Sequence, residues 1–243
     1  MLALTVTIAL AGCASSPSRE RARSPESLGP PPSYAEVAER YNSRAARLSR
    51  IWSRAVVRIE YTDDEGKRRR EQGEGHLQLV QPSQFALDVR KLGELLMWLG
   101  CDDQRYWLLE LHEAKRAQVG LHANLGKPCS AEAGLPAHPL DIVEMLGVTP
   151  IPTTWPGVSA GSPIGETKWS SDGSSVVVDM PGFAGYRRLF LDPQSFVPRR
   201  IEIYSHPDRE LALSAELTLY EPVEIRAGGG RPQMASRIII EGA

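Results

Sequence analysis

The chain opens on a mostly apolar run, Leu2 to Leu10, and then changes character abruptly. Residues 14–32 hold Ser, Pro, Arg and Glu and almost nothing apolar. Such a segment buries too little to offset its ordering entropy, and it predicts a tether that is disordered or rich in polyproline II conformation. From Ser33 the pattern becomes periodic. Ser33-Tyr34-Ala35-Glu36 reads as a capping box. Val37, Tyr41, Ala45, Leu48, Trp52 and Ala55 then recur at spacings of four and three, which predicts an amphipathic helix. Arg40, Arg44, Arg47, Arg50 and Arg54 fill the remaining surface, either as a solvated face or, beside a membrane, as a contact for anionic lipid.

Beyond Ala55 the period falls to two. Val57, Ile59 and Tyr61 alternate with charge, and Asp63-Asp64-Glu65-Gly66 makes a turn. Strands are predicted over 71–80 with Leu77 and Leu79 inward, over 85–89 with Phe85, Leu87 and Val89 on one face, and over 95–100 and 106–111. Leu95 to Leu99 and Tyr106 to Leu109 are apolar on both faces, unlike a sheet with one wet face. Both faces of that hairpin should be covered, or one should line a hydrophobic cavity. A Pro- and Gly-rich middle, 128–163, carries one short helix, Pro139 to Leu146, with proline in its first turn. Strands resume at 174–179, 186–191, 200–204, 211–220 and 236–240. Strands in sequence joined by short turns predict an antiparallel meander in a single domain, 33–243.

The end of the first apolar run adds chemistry. Leu10-Ala11-Gly12-Cys13 reads as a lipobox: small residues precede a cysteine whose thiol accepts diacylglycerol before cleavage exposes its amine. The run is too short to span a bilayer, which takes about 20 residues. Residues 1–12 are therefore expected to be a signal peptide and 13–32 a lipidated tether, with Cys13 the acylated (palmitate-bearing) residue. Ala14 brings no acidic retention signal, so the expected address is the outer membrane, facing the periplasm.

Composition narrows the partners. A net charge of −2 over 243 residues, with 42% hydrophobic and 24% charged positions, suits a globular protein and gives no global field for nucleic acid. Once Cys13 is assigned to lipid, Cys101 and Cys129 remain as an even pair. An oxidising compartment can join them in a disulfide or leave them as two buried thiols.

No catalytic signature emerges, and no cofactor is expected. The five histidines form no His-Glu-x-x-His, and no Cys-x-x-Cys supports a metal. Glu74 and His76 share a strand face, the ordinary polar face of a surface strand or, less simply, the start of a hydrolytic pair. Asp102 and Asp103 suit a turn. The expectation is a non-enzyme.

One stretch carries a resemblance. Leu189-Phe190-Leu191-Asp192-Pro193-Gln194-Ser195-Phe196-Val197-Pro198-Arg199-Arg200-Ile201-Glu202-Ile203-Tyr204 resembles a hallmark hairpin of the LolA/LolB-like family, in which an Asp-Pro turn joins two strands and a proline and a basic residue open the second. The order of elements over residues 33–242 is similar as well. The resemblance implies a mainly β (α+β) fold: one curved antiparallel sheet of about 10–11 strands, an unclosed half-barrel, with the N-terminal and middle helices covering its concave face. It implies that this face holds acyl chains or lipoproteins. A lipidated start is more similar to the outer-membrane acceptor branch, LolB, although no segment clearly matches that branch's protruding leucine loop. In this frame Leu96, Trp98, Trp107 and Leu109 are the candidate cavity residues, or else plain core between sheet and helices. A monomer is expected. The alternative function is a tethered module binding a protein or envelope polymer.

Overall fold

The computed structural model of the chain describes residues 5–9, 28–62, 66–111, 115–124, 138–154, 164–183, 185–205, 209–224 and 231–242. Among these residues there are two α-helices, α1 (Tyr34–Ala45) and α2 (Pro139–Met145). The strands are β1 (Thr5–Ala9), β2 (Arg50–Thr62), β3 (Arg68–Val80), β4 (Gln84–Lys91), β5 (Glu94–Cys101), β6 (Arg105–Glu110) and β7 (Arg116–Leu121). After α2 come β8 (Glu166–Trp169), β9 (Val176–Pro181), β10 (Gly185–Leu191), β11 (Pro198–Ser205), β12 (Leu211–Pro222) and β13 (Gln233–Gly242). All belong to one 13-stranded sheet in the order β7-β6-β5-β4-β3-β2-β1-β13-β12-β11-β10-β9-β8, and every neighbouring pair is antiparallel.

The sheet is unclosed, with β7 and β8 at its edges, yet it curls until its flanks meet. Phe183, in the β9–β10 turn, lies 5.8 Å ring to ring from His122, which follows β7. Those residues stand near opposite ends of the strand order, so the contact spans the mouth of the half-barrel.

Both helices pack on one face. Ser33 caps α1, accepting from the Glu36 N–H at 3.3 Å. Val37, Ala38, Tyr41 and Ala45 then turn into the core, as the helical spacing predicts. The helix is shorter than expected. It stops at Ala45, a 3₁₀ turn covers Ala46–Leu48, and β2 starts at Arg50. Trp52 and Ala55 thus sit on a strand, on opposite faces, with Ala55 buried and Trp52 exposed. A step of four residues keeps one face in both a helix and a strand, so the spacing from Leu48 to Trp52 could not separate them.

The inward rows are those the alternation marked: Leu77 and Leu79, then Phe85, Leu87 and Val89, all buried. On the other flank Val176, Val178, Leu189, Leu191, Ile201 and Ile203 play the same part. Three strands were not foreseen: β7, β8 and β1. The last of these comprises Thr5–Ala9, the heart of the opening apolar run, paired with both β2 and β13. The final residues of the expected tether are also engaged: the Pro32 carbonyl accepts from the Thr167 hydroxyl at 2.7 Å and the Gly29 carbonyl from the Trp169 indole at 3.0 Å. Cys13 and Cys129 lie outside the described residues.

The Asp-Pro hairpin explains its own sequence. Asp192 Oδ1 accepts from the Gln194 N–H at 3.0 Å and the Ser195 N–H at 2.8 Å, an Asx turn that calls for Asp or Asn there. Arg199, opening β11, pairs with the same aspartate.

Candidate functional site: a helix-covered face and a bare one

The helix-covered face is filled by the protein's own side chains. Tyr41 and Leu48 from the α1 segment, and Met145, Leu146 and Ile151 from α2 and its sequel, are buried in one cluster with Leu99, Leu108 and Ile201. Tyr41 donates to the Gly147 carbonyl at 2.8 Å and Tyr34 to the Pro152 carbonyl at 2.8 Å. Gln81 donates to Val148 O at 2.9 Å. Gly147 ends α2 at φ 68, where an added Cβ would come within 2.7 Å of Leu217 and Pro198, so the turn and the close packing both require glycine.

Beneath α2 the apolar packing is interrupted. Asp141 and Glu144, one turn apart on the helix, are both buried. Arg187 from β10, its side chain 2% exposed, reaches Glu144 at 3.5 Å and donates to the Pro150 carbonyl at 3.1 Å. Among the described residues several polar atoms here find no hydrogen-bond partner: Asp141 Oδ1, Glu144 Oε2, Arg187 Nε and His138 Nε2. Burial pushes the Asp141 carboxyl up to about 7, helped by the neighbouring Glu144 charge. Burial raises Glu144 too, against the opposing pull of Arg187. An incompletely satisfied buried cluster weakens the packing it sits in.

His138 caps α2 by accepting from the Leu140 N–H through Nδ1 at 3.1 Å. Its ring stacks on Phe183 at 5.2 Å and meets Tyr106 edge-on at 4.7 Å and His122 at 5.2 Å. Burial, with His122 beside it, pushes this imidazole down to about 4. These rings close the mouth of the half-barrel at the start of α2.

The four candidate cavity residues are elsewhere. Cys101, Leu99, Tyr106 and Leu108 take the inward positions of β5 and β6, so strand alternation turns Leu96, Trp98, Trp107 and Leu109 to the outward face. This corrects the expectation of a lined cavity. Trp98 and Trp107 meet edge to face at 5.6 Å. Trp107 covers Gly100, where a Cβ would lie 2.6 Å from the indole. Val119 and Leu121 of β7 extend the patch, 68% and 44% exposed. Leu92, at the tip of the β4–β5 hairpin with φ 52, is wholly exposed.

The remaining candidates are dispersed. Cys101 is buried and its thiol donates to the Ser83 carbonyl at 3.0 Å; burial pushes it up to about 12. His76 stacks on Trp52 at 5.5 Å and has Asp88 3.5 Å away on the open surface of β3 and β4, while Glu74 faces Arg90. Asp102 accepts from the Gln104 and Arg105 N–H groups at 2.8 and 2.7 Å, a turn role, and those bonds hold its carboxyl low. Among the described residues no group of His, Cys, Asp and Glu could hold a metal ion. The cluster under α2 escaped the sequence reading. Its one trace was an acidic pair, Asp141 and Glu144, spaced to share a helix side with apolar neighbours.

No known family profile and no curated protein matches the chain. Among solved structures it is similar to a LolA superfamily protein from Nitrosomonas europaea, with TM-score 0.48 and 9% identity over 87% of this chain and 91% of that one. It is also similar to an outer membrane lipoprotein-sorting protein domain from Vibrio parahaemolyticus, with TM-score 0.34 and 12% identity over 85% and 89%. A DUF1329 family protein from Desulfovibrio piger aligns with TM-score 0.38 and 9% identity over 86% and 90%. The unclosed antiparallel sheet with two helices on one face has the half-barrel form that the sequence resemblance implied.

Proposed function

We propose that this chain is a lipid-anchored protein of the bacterial envelope whose half-barrel takes up an acyl chain or other hydrophobic ligand beneath α2. The observation that carries this reading is the way α2 closes the sheet. A helix of seven residues has little stability of its own, and this one presses Asp141 and Glu144 into an apolar face with bonds left unmade. Lifting it uncovers Leu99, Leu108 and their neighbours as a greasy wall. Leu92, wholly exposed at the β4–β5 hairpin tip, would offer a bilayer an apolar contact, and the lipobox at Cys13 would supply the tether to the outer membrane. A photoactivatable fatty acid incubated with the full chain should crosslink to inward residues of β5 and β6. Mass spectrometry of envelope fractions should find acylated Cys13 as the first residue. Absence of inward crosslinks would overturn the ligand reading, and an unmodified Cys13 the anchor.

A second reading, a tethered module for a protein or envelope polymer, is favoured by the bare patch around Trp98, Trp107 and Val119. In that case Val119→Arg would abolish partner crosslinking while leaving fatty-acid labelling intact.

A further inference from the structure

The outward face of the opposite flank, far along the sheet from the tryptophan patch, carries a hollow of about 480 Å³. That is within the range of about 300–1,000 Å³ typical of small-molecule sites. Its floor follows a cross-strand row in which Lys168, Val177, Phe190 and Arg200 stand successively opposite one another on β8 to β11. Arg188 and Arg199 add two more cations to the lining, and the serine-rich β8–β9 turn forms one wall.

The charges are arranged unevenly. Every cation is held by a carboxylate that is not part of the lining. Asp179 takes Lys168 at 2.7 Å and the Arg188 Nε at 2.5 Å, Glu202 takes the Arg200 Nε at 3.3 Å, and Asp192 takes Arg199. Arg200 is further fixed over the Phe190 ring at 3.7 Å. The lining itself contains a single carboxylate, Asp172. Asp172 is occupied within its own turn, accepting from the Ser170 hydroxyl at 2.6 Å and the Ser174 N–H at 3.1 Å. The hollow therefore offers cationic donors in fixed positions, their counter-charges set outside it. Fixed guanidinium and ammonium groups of this kind recognise oxyanions.

We propose that this hollow binds a compact anionic ligand: a phosphate or carboxylate group carried on a body the size of a sugar ring. Its volume has room for more than a bare ion, and the Ser171 and Ser175 hydroxyls on its wall suit a polyol. Lys168 and Arg200 grip the charged group from the two sides of Val177 and Phe190. This site lies on the face away from α1 and α2 and stands independently of the ligand reading above.

Titration calorimetry on the full chain in non-ionic detergent tests it, with glucose 6-phosphate, glucuronate, inorganic phosphate and glucose as probes. At least one charged sugar should bind, weakening as salt is added, and glucose should give no signal. Which charged sugar binds identifies the acid group. Lys168→Gln and Arg200→Gln should each weaken binding about tenfold, with thermal unfolding curves unchanged for the exposed Lys168 variant. No binding of either charged sugar, or wild-type affinity in both variants, would overturn the proposal. Equal affinity for phosphate and glucose 6-phosphate would overturn the sugar-sized body.

Discussion

Asn42 and Ile151 exchange two hydrogen bonds: the carboxamide donates to the Ile151 carbonyl at 2.8 Å and accepts from its N–H at 2.7 Å. A side chain of α1 thereby replaces the strand partner that this stretch of backbone would otherwise need. Together with the Tyr41 and Tyr34 hydroxyls, it makes α1 and residues 147–152 one unit. The exit of α2 is pinned in this way, and the rings around His138 pack at its entry.

Asn42→Ala should accordingly cost about 1–3 kcal/mol, because two backbone groups lose their partner in a partly buried place. Chemical denaturation measures the loss. Hydrogen exchange should show the Ile151 amide opening more readily while the amides of β10 and β11 stay protected.

The two shifted groups of α2 pull stability in opposite directions with pH. His138 is depressed from 6.5 to about 4, so its contribution is present above pH 6.5 and fades as pH falls toward 4. Asp141 is raised from 3.8 to about 7, so its contribution is full below 3.8 and is lost as pH rises through 7. Tyr106, His122 and Phe183 face the first group and Glu144 the second. Asp141→Asn should gain stability relative to wild type between pH 4 and 8, and His138→Asn, which keeps a capping oxygen, should resist acid better. Thermal melts across that range check both. An Asp141→Asn profile parallel to wild type would refute the assignment.

The Arg187–Glu144 pair is worth little as a bond and much as a liability. Replacing Arg187 with Met should cost about 3–5 kcal/mol by leaving a buried carboxylate alone, whereas Arg187→Met with Glu144→Leu should recover most of that. Equilibrium denaturation of the two singles and the double gives the coupling directly.

Leu92 supports no part of the core, so Leu92→Glu should leave the melting temperature unchanged. It should nevertheless reduce sedimentation of the full chain with phospholipid vesicles. Unchanged sedimentation would remove the hairpin tip from the proposed membrane contact.

The strands were legible wherever one face was apolar and the other polar, as at Leu77 and Leu79 or Phe85, Leu87 and Val89. They were not legible in β7, where Ala117, Val119 and Leu121 alternate with Gln118 and Gly120 but the apolar set faces outward. The same ambiguity hid the orientation of β5 and β6. With Leu99 and Leu108 on one side and Trp98 and Trp107 on the other, composition says that two apolar faces exist, but only the helices decide which is covered. The polar cluster was less legible still, because Arg187 and Glu144 lie far apart in sequence and ordinary surface residues look the same. The Asp-Pro hairpin was the reverse case: its function in the fold is local, so its residues announce it.

The position of β1 gives the start of the chain a second meaning. Thr5–Ala9 is wedged between β2 and β13, and both neighbours run antiparallel to it, so they run parallel to each other. A peptidase cutting before Cys13 would withdraw a strand from the middle of the sheet, not trim a loose end. The precursor and the processed protein would then differ in topology. One has an antiparallel keystone; the other must bring Val56–Glu60 and Arg237–Glu241 together as a parallel seam or leave them as two new edges. Maturation of this protein would be an act of refolding as well as of anchoring.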